Sequence, residues 1–365
     1  MKKIGILTFH DVINYGAVLQ AYALQRYLQE SGYYVQIINY RPSYFIRQYR
    51  YSMKLRGRSP LKCFRNLIYG IFWGFRTFLR QKNQFYDFRA KYLNISSEIS
   101  SVKDLSSETF DAIIVGSDQI WNPAMTNNCF DPMFWGDFLP EIKKISYAAS
   151  SGKYIFSQNE KEIIKKKLKN FFAISVREDQ LAKFLLPLAS GTPVQTVVDP
   201  TLLLPVRNWD ELTIQRPMAK KYVVCYYVTY NKKIKKIARA LAHRIGAVVI
   251  YFPSFDAPCV GKHTLKVGPD GFLSWMKYAD FVVTNSFHGT VFSLIFNRDF
   301  LVIDDLQDFR IETLLKSVHL EERKVLSNIT EFPKYNRINY ALLNDQLVKI
   351  SEAGKDFIQN SLKGV

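Results

Sequence analysis

Lys3-Ile4-Gly5-Ile6-Leu7-Thr8-Phe9 opens the chain, His10-Asp11-Val12-Ile13-Asn14-Tyr15-Gly16 follows, and then comes Ala17-Val18-Leu19-Gln20-Ala21. The first run is apolar and of strand length, so residues 3–9 read as a buried strand. Residues 10–16 are a polar loop, and beyond it Ala17, Ala21, Leu24 and Leu28 recur at helical spacing until Gly32 ends the pattern. Residues 35–40, Val-Gln-Ile-Ile-Asn-Tyr, form the next strand. A strand, a helix and a second strand joined this way make a parallel unit, and that sets the fold class as α/β.

The same alternation continues downstream. Strands are expected at 110–115, 144–149, 172–176 and 194–198, with a charged helix at 159–171. Residues 205–221 carry Pro205 and Pro217 without clear periodicity and read as a linker. A second set of strands at 222–229, 247–252, 280–284 and 300–303 alternates with helices at 232–245, 271–278, 287–296 and 309–318, and a last helix covers 338–362. The expected division is a Rossmann-like domain at 1–205, a second at 206–337 and a C-terminal helix at 338–365. Two open parallel sheets arranged this way turn their strand C-termini toward a shared cleft, where ligands of such folds bind.

The chain has 365 residues, 48% of them hydrophobic and 22% charged, which excludes a disordered or fibrous protein. The uncharged stretch most open to suspicion of membrane insertion, 66–75, is about half of what a spanning helix requires. Residues 1–7 lack the apolar region and cleavage site of a secretory signal, so a cytoplasmic location is expected. Four cysteines without a CxxC pair make neither a zinc site nor a disulfide framework, and no metal is expected. Fifty basic residues against 32 acidic ones leave +18, which asks for an anionic partner. Thirteen of the basic residues fall at 41–91 against Asp87 alone, interleaved with aromatic residues around Leu67-Ile68-Tyr69-Gly70-Ile71-Phe72-Trp73-Gly74-Phe75. That combination suits the anionic surface of a membrane better than nucleic acid, and an ordinary core helix is the alternative.

Five strand ends carry the chemistry. Asn14 and Gly16, with Gln20 behind them, lie at a strand-to-helix turn that favours an anion or polar ligand but lacks GxGxxG. Gly116-Ser117-Asp118-Gln119-Ile120-Trp121-Asn122 follows another strand, and its Asp118, Gln119, Trp121 and Asn122 suit sugar binding, with a tight turn and cap as the plainer reading. Arg177 ends the strand at 172–176 and can grip a carboxylate or phosphate, unless it pairs with Glu178 or Asp179 at the surface. Asp199 closes the next strand and can either bond neighbouring backbone or orient Arg177. The sharpest signal is Ser286-Phe287-His288-Gly289-Thr290, where His288 stands at a helix entrance and Gly289 admits a close ligand, with a structural histidine among apolar neighbours as the plainer reading.

Taken together, these segments resemble the polysaccharide pyruvyl transferase family. The resemblance rests on Asn14-Tyr15-Gly16-Ala17 with Leu19-Gln20, Gly116 through Asn122, Ser175-Val176-Arg177-Glu178, Asp199-Pro200-Thr201 and Ser286-Phe287-His288-Gly289, in order along most of the chain. It implies a GT-B-like fold of two Rossmann-like domains facing a central cleft. The implied activity moves pyruvate from phosphoenolpyruvate, a donor substrate and not a cofactor, onto a sugar diol as a ketal. The implied partners are phosphoenolpyruvate and a glycan acceptor, lipid-linked if the segment at 41–91 meets the membrane, and not nucleic acid. In that picture His288 is the acid or phosphate ligand, Arg177 an anion contact, Asp118 the base or hydroxyl binder and Asp199 an orienting group. Asn14, Gly16, Gln20, Ser117, Gln119, Trp121, Asn122, Ser286, Gly289 and Thr290 complete the expected substrate contacts. Many members carry arginine two positions before the motif histidine; Ser286 stands there in this chain and leaves one anion contact unassigned. The rival readings are a nucleotide-sugar glycosyltransferase and a non-catalytic membrane-surface scaffold of the same fold.

Overall fold

The structure is a computed structural model and describes all residues except 45–74, 108–109, 230–231, 254–263, 306 and 329–335. Seven strands build the first sheet: β1 (Lys3–Leu7), β2 (Tyr34–Tyr40), β3 (Ile95–Ile99), β4 (Ala112–Val115), β5 (Lys143–Ala149), β6 (Ala173–Val176) and β7 (Val194–Thr196). Their order is β3-β2-β1-β4-β5-β6-β7, and every pairing is parallel. The second sheet contains β8 (Tyr222–Tyr227), β9 (Val248–Pro253), β10 (Phe281–Thr284), β11 (Phe300–Ile303) and β12 (Lys324–Val325), in the order β12-β11-β10-β8-β9 and again all parallel. The helices are α1 (Tyr15–Glu30), α2 (Phe75–Tyr92), α3 (Gln158–Leu168), α4 (Asp179–Leu185), α5 (Val206–Asp210), α6 (Lys232–Arg244), α7 (Pro269–Lys277), α8 (Phe287–Ile295), α9 (Phe309–Ser317) and α10 (Tyr340–Leu362). All four residues of β4 and all six of β8 are buried, as central strands covered on both faces must be. The architecture is α/β and GT-B-like.

Strand order reverses between β1 and β4 in the first sheet and between β10 and β8 in the second. Ligand crevices form outside the strand C-termini at such reversals. Here the two crevices face each other, so the loops after β1, β4, β8 and β10 share one cleft.

An aromatic seam holds the two sheets together. The Tyr15 ring lies parallel to that of Phe272 in α7 at 4.2 Å, and its hydroxyl donates to the Val267 carbonyl (3.0 Å) while accepting from Gln81 of α2. Nearby Trp209, fully buried, meets Phe292 of α8 edge-on at 5.1 Å. Each such ring buries on the order of 150–250 Å² and dominates the contact it makes.

Several expected boundaries move. Helix α1 starts at Tyr15, before the expected Ala17, because the Asn14 side chain accepts from the Ala17 N–H and caps the first turn. The linker expected at 205–221 contains α5, anchored by Trp209. In the basic segment, 75–92 forms a helix that buries Gln81, Phe85 and Phe88 at spacings of four and three, so this portion is a core helix. Residues 45–74, which hold nearly all of the uncharged aromatic stretch, lie outside the described residues. Helix α10 leaves the second sheet and packs on the first, where Phe357 meets Tyr147.

Candidate functional site

Asp199 is the centre of a buried ionic cluster behind the cleft. It caps the short helical turn Pro200–Leu202, and its Oδ1 accepts from the Thr201 N–H (3.0 Å) and hydroxyl (2.6 Å). Its Oδ2 faces Nη2 of Arg177 at 2.9 Å and Nε2 of His288 at 3.5 Å. Burial alone would raise the Asp199 pKa, but attraction to Arg177 and then His288, with the Thr201 hydrogen bond, overrides it and holds the carboxyl well below its usual range. Nη2 of Arg177 also donates to Oγ of Ser117, whose own hydroxyl donates to the Ala148 carbonyl at 2.9 Å. Arg177 therefore pairs with Asp199 in the interior, not with Glu178 or Asp179 at the surface.

His288 occupies the first turn of α8, behind the cap Ser286, whose side chain accepts from the Gly289 N–H. The opposite wall of its pocket is Gly16: a Cβ there would lie 1.9 Å from Nδ1 of His288. Gly16 is thus required by the approach of the two domains' helices. Asp118 sits at φ +76°, a left-handed conformation that aspartate tolerates better than most residues, and one carboxylate oxygen accepts from the Gln119 N–H.

The cleft is walled by residues of both domains. Asn14, Asp118 and Gln119 line it from the first domain, and Ser286, Phe287 and His288 from the second. Arg310 of α9 also lines it, and the sequence analysis did not single it out. Asp308 grips its guanidinium through two contacts of 2.9 and 2.6 Å, and its Cζ lies 5.5 Å from the centre of the Phe287 ring. Arg177 approaches the same ring at 4.8 Å. The signal for Arg310 was its place just past strand β11, a position that in sequence reads equally well as a solvated helix start.

Glu178 was weighed only as a surface partner, yet it is buried. Its Oε1 accepts from the Ser150 hydroxyl (2.6 Å) and the Gly152 N–H (2.9 Å), and desolvation pushes its pKa up to about 7. Gly152 in turn lies against the Gln119 side chain, so Glu178 sets a loop that backs the cleft wall.

Other expected contacts do not reach the cleft. Gln20 is fully buried and spends its amide N–H groups on the Thr8 hydroxyl (2.9 Å) and the Ala17 carbonyl (2.9 Å). Trp121 is in the core, stacked on Trp135 at 4.8 Å, with its indole N–H donated to the Phe134 carbonyl. Asn122 caps the turn Pro123–Met125 and donates to Oε1 of Gln119, a supporting role. Gly289 packs against Thr284, where a Cβ would stand 2.3 Å from Oγ1, and the Thr290 hydroxyl donates to the Ser286 carbonyl. A polar residue beside a strand end has the same sequence signature whether it faces the cleft or the core, and these face the core.

Two parallel sheets whose crevices meet over a cleft backed by the Asp199–Arg177–His288 cluster define a two-domain α/β scaffold. The family model of polysaccharide pyruvyl transferases matches residues 14–305, and the chain belongs to that family. No curated protein matches the chain. Among solved structures it is similar to the UDP-N-acetylglucosamine 2-epimerase from Rickettsia bellii, at 12% identity and TM-score 0.47 over 99% of each chain. It is also similar to S. aureus MnaA solved with UDP, at 11% identity and TM-score 0.46 over 98% of this chain and 88% of that one. The glycosyltransferase SsfS6 of Streptomyces sp. SF2575, complexed with thymidine diphosphate, matches at 13% identity and TM-score 0.44 over 98% and 100%. Among the described residues no helix is long and apolar enough to cross a membrane.

Proposed function

We propose that this polysaccharide pyruvyltransferase takes pyruvate from phosphoenolpyruvate and sets it as a ketal on a sugar diol of a surface-polysaccharide repeat unit. The observation that carries the reading is the convergence of His288, Arg310 and the first turn of α8 opposite Asp118 in one cleft. The donor has a carboxylate and a phosphate. Fixed cations and the free N–H groups of a helix start match those two charges without reorganising during the reaction. Arg310 supplies the positive charge that Ser286 does not.

His288 donates a proton to the methylene carbon, and C2 becomes an oxocarbenium centre. One sugar hydroxyl adds to C2 and gives its proton to Asp118. The C2–O bond to phosphate then breaks, the second hydroxyl closes the ring, and its proton leaves with the phosphate. Arg177 lies behind Asp199 and acts through it: the pair fixes the carboxylate that orients the His288 ring.

The test is mass spectrometry of glycan acceptors incubated with phosphoenolpyruvate, together with thermal shift by donor candidates. Ketal formation with release of phosphate is expected. Stabilisation by UDP- or GDP-sugars with no response to phosphoenolpyruvate would move the protein to the glycosyltransferases. The basic residues at 41–91 are proposed to bring the enzyme to the cytoplasmic face of an anionic membrane carrying the acceptor. Co-sedimentation with anionic but not neutral vesicles, lost at about 1 M salt, is the expected result; equal recovery in both supernatants would remove the membrane and the lipid-linked acceptor from the proposal.

A further inference from the structure

Between Glu211 and Asp256 the chain has no acidic residue and nine basic ones, six of them in helix α6. This helix covers the face of the second sheet that is turned away from the domain seam. Ile234, Ile237 and Leu241 pack with Val223 and Cys225 of β8, whereas Val224 and Tyr226 of the same strand point to the seam. We propose that the outer side of α6 is a docking surface for an anionic stretch of glycan chain, one that bears carboxylates or phosphates, beside the mouth of the cleft.

Three observations carry the assignment. The first is alignment: Lys232, Lys236, Arg239 and His243 are exposed and recur at steps of four, three and four, which puts them in one stripe roughly 16 Å long at about 1.5 Å of rise per residue. Arg239 is fixed at the base of the stripe, where its Nε donates to the Tyr251 hydroxyl (3.0 Å), and Nζ of Lys235 lies 5.3 Å from the centre of the Tyr251 ring. Among the described residues, Lys232, Lys236 and Arg244 make no ion pair. A rigid row of positive charge that no carboxylate of the chain neutralises is complementary to a linear polyanion. The second is place. Val228 lines the cleft, and Asn285 pins it there, accepting from the Val228 N–H (2.9 Å) and donating to the Thr229 carbonyl (2.8 Å). Lys232 follows four residues later, at most about 14 Å of chain away. A glycan with one unit in the cleft can therefore lay its next units on the stripe. The third is the residue types. A helix that seeks a bilayer turns large apolar side chains outward among its basic ones. In α6 the large apolar residues Ile234, Ile237 and Leu241 are all buried under the stripe, and Ala240 is the exposed apolar residue, so the surface suits a hydrated polyanion better than lipid.

This names the chemical class of the acceptor, and its link to catalysis rests on the proposed pyruvyl transfer, whose ketal would itself add a carboxylate to each modified repeat. The experiment uses the full chain without donor, polygalacturonate as the probe and neutral dextran as the comparison, read by isothermal titration at low salt. Saturable binding to polygalacturonate and none to dextran is expected. The triple variant Lys232→Gln, Lys236→Gln and Arg244→Gln should weaken it by about tenfold with an unchanged melting temperature, as loss of three exposed charge contacts does. The control variant Lys165→Gln, Lys166→Gln and Lys169→Gln removes three exposed charges from the first domain and should stay within about twofold of wild type. Equal weakening in the two variants would mean that net charge alone is felt and overturns the proposal, as does unchanged affinity in the α6 variant or equal binding of dextran. Co-sedimentation with anionic vesicles should fall no further in the α6 variant than in the control; a selective loss there would give the surface to the membrane and likewise overturn the proposal. Binding as expected in a protein that transfers no pyruvate would fail the proposed activity and leave the docking surface standing.

Discussion

Replacing Gly16 with alanine should disable the site while leaving the fold standing. The added Cβ would lie 1.9 Å from Nδ1, 2.3 Å from Cγ and 2.5 Å from Cε1 of His288. Ordinary contact is about 3.5 Å, so the imidazole has to retreat by roughly 1.5 Å. It cannot do so in place, because Asp199 stands 3.5 Å from its other nitrogen and the Phe287 ring meets it edge-on at 5.1 Å. Displacement of about 1 Å at a reacting group costs on the order of 100-fold in rate. The backbone does not object, since Gly16 is in α1 and alanine is favoured over glycine in a helix by up to about 1 kcal/mol. The assay is phosphate released from phosphoenolpyruvate in the presence of acceptor, with the melting temperature measured alongside. If the effect passes only through His288, Gly16→Ala should cost nothing further in a His288→Ala background. Near wild-type turnover of Gly16→Ala would refute the placement of His288, and collapse of the melting temperature would mean that Gly16 serves the domain seam instead.

Asp199→Asn removes the carboxylate that compensates buried Arg177, so unfolding in urea should show a loss of about 3–5 kcal/mol together with loss of transfer; a wild-type midpoint would show that the pair is not what stabilises the region behind the cleft. Glu178, at about 7 in the folded chain against an ordinary 4.5, holds a proton that the unfolded chain has already released, so its contribution to stability falls as pH rises from 4.5 through about 7. Glu178→Gln should flatten that part of the stability profile, and an unchanged slope between those values would assign it to other groups. Arg310→Ala should raise KM for phosphoenolpyruvate and lower kcat, with a combined loss of about 100-fold or more if the guanidinium touches the transferring group; a change confined to the acceptor's KM would place it on the sugar instead.

The strands were legible because buried parallel strands are nearly continuous apolar runs, as β4 and β8 are. The cluster was legible in part because strand C-termini and helix starts converge in such folds, which brought Ser117, Arg177, Asp199 and His288 together from distant stretches. What sequence could not supply is direction. Gln20 and Trp121 neighbour the cleft along the chain but turn into the core, where the Ala17 and Phe134 carbonyls take their N–H groups. Arg310 remained hidden for the opposite reason: a charged residue in a helix's first turn looks solvated until Phe287 and Asp308 are found around it. Gln81, Phe85 and Phe88 carried a readable helical stripe, masked by the basic and aromatic excess of the segment that contains them.

Helix α10 comes last in the chain, yet it finishes the first sheet. Phe357 covers Tyr147, the Gly354 backbone comes so close that a Cβ would stand 2.6 Å from the Tyr147 hydroxyl, and the Lys363 carbonyl accepts from Nζ of Lys143. During synthesis the first sheet must therefore wait, with that apolar face uncovered, until the whole second domain has been made. The N-terminal half made alone should therefore be less stable than the same strands in the whole chain, with an exposed apolar face prone to association. Stability should be shared across the chain, with one cooperative unfolding transition instead of two, and any truncation that removes α10 should act first on strands laid down some two hundred residues earlier.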